Sequence, residues 1–445
     1  MKYFPSFKIL IRCAACTVAL LAASALTAKE PLNVVLILAD DLGSVDLNCY
    51  GADDLSTPNI DALAERGVRF SQFYVGSAIC SPSRAALLTG RYPQRAQLPR
   101  NTNYTGMPGS QFTMAELFQG AGYRTALIGK WHLGETPQTD PQAQGFDEFF
   151  GHRRGCIDNY SHFFYWSGPN RHDLWRDRTE VFEPGEYFPD LMVRETKRFF
   201  QKNTEQPFFL YLALNTPHYP MQAPAEAVER FAGLPEDRKW TAALLYTWDR
   251  ALGRILEAVD ELGLADNTLV WSSSDHGPSR EARNWPDGRA DEVYRGGSAG
   301  GLRGAKGSVF EGGIRLPAAM RWPGVVRPGS VCDAVCHHAD MLPTLLTAVG
   351  GEAAAGVGGD LRPLLVGDAA EVERRGDLCW RMGKQRAVRR GPWKLVENVA
   401  DPDPLDGEGE EGIRLYNLED DPGERHDCSR DQPQTVAALS PGLAD

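Results

Sequence analysis

The stretch "NVVLILADD", residues 33–41, runs through apolar, strand-forming residues and ends in two carboxylates. A short, continuous apolar run of this kind is the pattern of a strand buried on both faces. Three more segments repeat it: "YRTALIG" (123–129), "PFFLYLAL" (207–214) and "NTLVWSSS" (267–274). Between them lie helical patterns, "NIDALAERG" (59–67), "TMAELFQGAG" (113–122) and "ALLYTWDRALGRILEAVDELG" (243–263), the last with apolar spacing near 3.6 and a glycine stop. Strands alternating with helices predict a parallel sheet covered on both faces. After about residue 365 the texture changes. "RAVRRGPWKLVEN" and "IRLYNLEDDPGE" read as short antiparallel strands with acidic turns, so a small α+β subdomain is expected over 366–445, behind a main domain over 29–365.

The residues just beyond the strand ends carry the chemistry. Asp40 and Asp41 come after the first strand, Lys130, Trp131 and His132 after the second, Asn215, Pro217 and His218 after the third, and Asp275 and His276 after the fourth. Ligands in open α/β sheets bind outside the carboxyl ends of the strands, so four strands deliver titratable residues to one rim. Asp40, Asp41 and Asp275 would repel one another without a cation, and an oxygen-rich set suits a hard divalent ion such as Ca²⁺ or Mg²⁺. No His or Cys cluster at zinc spacing is present. Lys130 and His132 are two apart, which on an extended backbone sends both to one side. Prolines flanking His218 are expected to hold its chain extended. Lys306 lies in "GGLRGAKGSVFEGGIRLP", a glycine-dense loop that brings backbone and ammonium close to an oxyanion or is a flexible surface loop; it is not a Walker A loop.

"SAICSPSRAALLTG", residues 77–90, places Cys80 at the start of a short helix, with Ser81 as N-cap, Pro82 as first helical residue and Gly90 as the stop. There the free N–H groups favour an anion, and Arg84 can reach back over the preceding turn. On residues alone Cys80 reads as a buried small hydrophobe, half a disulfide, a thiolate nucleophile or a residue converted to another group.

Lys2, Lys8 and Arg12 precede the apolar run Cys13–Leu26, with small residues after it. That is the pattern of a secretory signal peptide over 1–28, the run being shorter than the roughly 20 residues that span a bilayer. Its removal takes three positive charges and no acid, moving the formal charge from −12 to −15. An acidic, exported chain, periplasmic or secreted, is a poor partner for nucleic acid or anionic membranes. Any anionic substrate must meet a local cluster of cations. Seven cysteines remain after the leader, an odd number whose pairing cannot be read from the sequence.

These residues together resemble the type I, formylglycine-dependent sulfatases of the alkaline-phosphatase-like superfamily, close to arylsulfatases and N-acetylgalactosamine-6-sulfatases. The signature is Cys80-Ser81-Pro82-Ser83-Arg84 in "CSPSRAALLTGRYPQR", with "ADDLG", "GKWHLG" (129–134), "GFDEFFG" (145–151), "SDHG" (274–277), "LRGAKGSVFEGGIRLP" (302–317), "DMLPTLL" (340–346) and "LYNLEDDPGE" (415–424) in order along the chain. The resemblance implies a large, mixed, mostly parallel sheet sandwiched by helices, with the small C-terminal subdomain. It implies that a maturation enzyme oxidises Cys80 to formylglycine, whose hydrate attacks the sulfur of a sulfate ester and then expels sulfate. Asp40, Asp41, Asp275, His276 and the converted Cys80 would hold one Ca²⁺. Arg84 and Lys130 would steady the hydrate, His132 would act as base, and His218 and Lys306 would contact sulfate and the leaving oxygen. Many members carry Asn where His276 stands, though His is also found there; a nitrogen ligand is softer, which leaves the identity of the metal open, and Ca²⁺ against Mg²⁺ is not decided by the sequence. The rivals are a phosphodiesterase or phosphonate monoester hydrolase of the same superfamily, and a catalytically silent carbohydrate-binding relative. The aromatic segment 151–188 is expected either to wall the pocket for a sulfated carbohydrate, its rings stacking on sugar, or to pack on the core.

Overall fold

The computed structural model describes residues 31–444 apart from 103, 167, 290, 352–356 and 400–411; the leader and the first two cysteines lie outside the described residues. The strands of the main sheet are β1 (Asn33–Asp40), β2 (Val68–Tyr74), β3 (Arg124–Lys130), β4 (Glu148–His152), β5 (Phe208–Pro217), β6 (Thr268–Ser274) and β7 (Arg315–Arg321). They lie in the order β2-β7-β6-β1-β5-β3-β4, extended by short strands at both edges. β6, β1, β5, β3 and β4 run parallel, whereas β7 is antiparallel to both β6 and β2. The sheet is therefore mixed and mostly parallel, and the four apolar runs read from the sequence are its central strands.

Every residue of β1 is buried. Alternation sends Val34, Leu36 and Leu38 into one apolar layer and Val35, Ile37 and Ala39 into the other. The first layer is covered by α1 (Cys80–Thr89) and α2 (Met114–Gly120), and the second by α3 (Phe188–Lys202) and α4 (Glu236–Glu261). α4 begins two turns earlier than its apolar periodicity indicates, because Pro235 and the acidic pair Glu236 and Asp237 start a polar first turn. Strands β2 and β7 escaped the sequence reading, since "VRFSQFY" and "RLPAAMR" mix polar residues and a proline into their runs.

A second, antiparallel sheet near the C-terminus contains β8 (Leu378–Met382), β9 (Gln385–Arg390), β10 (Trp393–Glu397) and β11 (Ile413–Asn417). Buried charges tie it to the main body. The ammonium of Lys394 lies 2.9 Å from Glu311 and 2.8 Å from Glu424, and the Tyr74 hydroxyl donates to Glu311 at 2.5 Å. All seven cysteines of the described chain are free thiols. Among the described residues no helix is long and apolar enough to cross a membrane.

Candidate active site

The carboxyl ends of β1, β3, β5 and β6 meet the N-terminus of α1, and the charged residues they carry converge in a buried group. Asp40 ends β1, and Asp41 turns away with a φ of 68°, a left-handed conformation an aspartate tolerates better than most residues. Asp275 follows β6 and donates its N–H to the Ala39 carbonyl at 3.1 Å, locking the two strand ends together.

The group is arranged as cation–carboxylate pairs. Lys130 Nζ lies 2.6 Å from Asp40 Oδ2, Arg84 donates from Nε to Asp275 Oδ2 at 3.0 Å, and Lys306 Nζ bonds both oxygens of Asp41 at 2.9 and 3.1 Å. The second oxygens of Asp40 and Asp275 face inward. Asp40 Oδ1 is 4.0 Å from the Cys80 sulfur, and Asp275 Oδ1 is 3.6 Å from His276 Nε2, itself 3.1 Å from that sulfur. Ligand atoms of Asp40, Cys80, Asp275 and His276 all lie within 4.8 Å of one another, as do those of Asp40, Asp41 and His218. Both sets are fully buried and share Asp40, and the three carboxylates of Asp40, Asp41 and Asp275 supply the oxygens that a hard divalent cation prefers.

Burial and charge set the protonation states. Burial pushes Asp40 up, but Lys130, His218 and Arg84 hold it well below the usual carboxylate range. Burial and the neighbouring Asp40 push Asp275 up to about 6. Burial raises the Cys80 thiol, yet Lys130, Lys306 and His276 outweigh it and hold it well below its ordinary value. Burial pulls His132 down to about 4, leaving it a neutral imidazole near pH 7. His218 goes the other way: burial lowers it, and Asp40 and Asp41 raise it above the ordinary value.

The helix start differs from the sequence expectation. α1 begins at Cys80 with Ile79 as N-cap and no side-chain cap, so Pro82 is the third helical residue. That position costs nothing, because its missing N–H is among the four that have no helical partner. The Ser81 N–H instead donates to Asn101 Oδ1 at 2.9 Å. The path through Lys130 and His132 is not extended either, since His132 has a φ of 53°. At His218 the chain bends, and the X-Pro bonds on both sides are cis.

A cavity of about 110 Å³ opens onto Cys80, walled by His132, His218, Lys306, Asn101, Gly155, Cys156, Phe164, Trp166 and Glu281. Cys156, Phe164 and Trp166 come from the aromatic segment, so part of it does wall the pocket, while Leu174 and Phe188 pack into the core. Gly155 lies against the His132 ring, where an added Cβ would sit 2.9 Å from Cε1 and Nε2. Glu281 Oε2 is 3.4 Å from Lys306 Nζ. All the residues singled out in the sequence as catalytic or metal-binding meet here. Asn101 and Glu281 were missed, each sitting in an irregular loop with no periodicity or motif to mark it; Gly155 lies within the aromatic segment, but its approach to His132 was not anticipated.

The family model described as Sulfatase matches residues 32–351. The chain is 34% identical to human arylsulfatase A over 452 residues, covering 91% of this chain and 84% of that protein. It is 33% identical to human N-acetylgalactosamine-6-sulfatase over 464 residues, covering 93% and 84%. Among solved structures it is similar to "Ps i-CgsB in complex with k-i-k-neocarrahexaose", with 30% identity, a TM-score of 0.81, and coverage of 93% and 92% of the two chains.

Proposed function

Because the chain belongs to the sulfatase family and is therefore a sulfuric ester hydrolase, we propose that it is an exported enzyme that removes sulfate from sulfated carbohydrates, using a formylglycine made from Cys80 and a bound Ca²⁺. The observation that carries this reading is the pairing of Lys130, Arg84 and Lys306 with Asp40, Asp275 and Asp41 around Cys80. These pairs neutralise the three carboxylates, so a divalent ion held among them would give a chain of net charge −12 a locally positive pocket for an anion. The carbohydrate substrate is supported by the aromatic wall, Phe164 and Trp166, and by the sugar bound in the similar structure.

Asp40, Asp41, Asp275 and His276, with residue 80, would hold the ion, which supplies charge neutralisation to a sulfate oxygen; the converted residue supplies a hydroxyl nucleophile. The chain's own residues do the rest. Lys130 and Arg84 fix the carboxylates that face residue 80, and their positive charge, with that of Lys306, stabilises the negative charge gathering on the sulfuryl oxygens. His132, neutral near pH 7, accepts a proton at the end of the cycle. His218, whose Nε2 lies 3.9 Å from Asp41, would donate to the leaving alcohol oxygen. Maturation requires a second enzyme to reach Cys80 before folding, because in the fold it is 2% exposed.

Sulfate and phosphate esters of one alcohol test the reaction class. Higher kcat/KM on the sulfate ester is expected; preference for the phosphate ester would move the chain to the phosphodiesterase and phosphonate monoester hydrolase side of the superfamily. Release of sulfate from glycans separates the enzyme from a silent carbohydrate-binding relative.

A further inference from the structure

A cleft of about 690 Å³ lies outside the pocket, where the loop leaving α1 meets the C-terminal sheet. Its floor is fixed. The Tyr92 hydroxyl donates to the Asp377 carbonyl at 3.0 Å and accepts from the Cys379 N–H at 3.1 Å, and Gln94 donates to the Arg381 carbonyl at 2.9 Å. Four arginines line it, Arg91, Arg95, Arg375 and Arg390, against one carboxylate, Asp377. Arg390 holds both oxygens of Asp377, at 2.7 and 2.6 Å, and Arg91 gives one N–H to Gln111. Arg95 and Arg375 are exposed, and among the described residues the side chain of neither is hydrogen-bonded or ion-paired. Two guanidiniums thus stand unpaired in a concave, basic surface on an otherwise acidic molecule.

The same segment serves both cavities. From Arg95 the chain passes the exposed Arg100 and reaches Asn101 in the wall of the small pocket. The six Cα–Cα steps from Arg95 to Asn101 span at most about 21 Å. The pocket at Cys80 has a volume of about 110 Å³, against about 690 Å³ for the cleft.

We propose that the arginine cleft is a second anion site, which holds sulfate groups of a longer sulfated glycan while one end of that glycan reacts at residue 80. The proposal rests on the sulfated-carbohydrate reading above. Guanidinium groups match the oxygens of a sulfate in a bidentate manner that an ammonium does not. An acidic protein repels a polyanion at long range, and a local basic surface reverses the sign where the chain must land. Every charged group in the cleft that is not already neutralised is an arginine.

The test uses the full-length, matured enzyme and the double variant R95A/R375A. Both side chains are exposed and unpaired, so the fold and the turnover of 4-nitrophenyl sulfate are expected to stay within about twofold of wild type. Binding of dextran sulfate fragments is expected to weaken at least tenfold at low salt and to lose part of its salt dependence, with uncharged dextran binding neither protein. R95K/R375K should recover only part of the affinity. Wild-type affinity of the double variant for dextran sulfate would overturn the proposal, as would an equal loss of 4-nitrophenyl sulfate turnover. Duplex DNA bound by the wild type as tightly as dextran sulfate would overturn the commitment to a glycan. If the enzyme cleaves 4-nitrophenyl sulfate but no sulfated glycan, the substrate reading fails, and the dextran sulfate titration still decides the cleft.

Discussion

Replacing Gly155 by alanine isolates the placement of the proposed base. The added methyl would sit 2.9 Å from both Cε1 and Nε2 of His132, whereas ordinary contact begins at 3.4 Å. Gly155 is outside the left-handed region, so the alanine backbone itself is unstrained. The loop cannot step back easily. Asp173 accepts from the Arg153 and Arg154 N–H groups at 3.3 and 2.9 Å, and the His132 N–H donates to the Arg153 carbonyl at 3.1 Å. The imidazole must therefore retreat by about 0.5 Å, the shortfall between those two contacts. A displacement of about 1 Å at a reacting group costs on the order of a hundredfold, so about a tenfold loss of kcat is expected, roughly 1.4 kcal/mol in barrier. Steady-state kinetics with a small aryl sulfate, which needs little of the pocket, reads this out. KM should change less than kcat, and the melting temperature should hold. An unchanged kcat in folded G155A protein would refute the placement of His132 as the base.

Other perturbations probe the ion site and the frame around it. Lys394→Met leaves Glu311 and Glu424 buried without their shared cation, so denaturant unfolding should show a loss of about 3–5 kcal/mol; adding E311Q and E424Q should recover most of it. Burial pushes Asp173 up to about 7 against the N–H groups of Arg154 and Arg153 that lower it. The folded chain then holds this proton more tightly than the unfolded one, so the stability that Asp173 contributes is complete below the ordinary value of 3.8 and lost as pH rises through 7. The melting temperature of wild type relative to D173N should fall across that window, and a flat difference would refute it. Chelation should lower the melting temperature as well as the activity, and Ca²⁺ at a hundred times its Kd should restore about 2.7 kcal/mol of stability.

The central strands were legible because each carries a short apolar run bounded by polar residues, the pattern of burial on both faces. The rim residues were legible for the same reason, since strand ends in such a sheet share one edge. The α1 start was misread by two residues: Ser81 is a good cap by type, but its N–H is taken by Asn101, twenty positions away. β2 and β7 were invisible because antiparallel pairing at the flank of the sheet tolerates polar residues and Pro317. Gly155 and Glu281 acquire their places only from tertiary approach, to His132 and to Lys306, and no local pattern encodes that.

The proposed chemistry depends above all on residue 80 working as a converted cysteine. The decisive measurement is mass spectrometry of the peptide containing Cys80, from enzyme made with a formylglycine-generating maturation enzyme and assayed in the same preparation. Formylglycine at position 80 is expected in proportion to sulfatase activity, with unmodified, inactive protein when maturation is withheld. Full activity with an intact Cys80 thiol would contradict it.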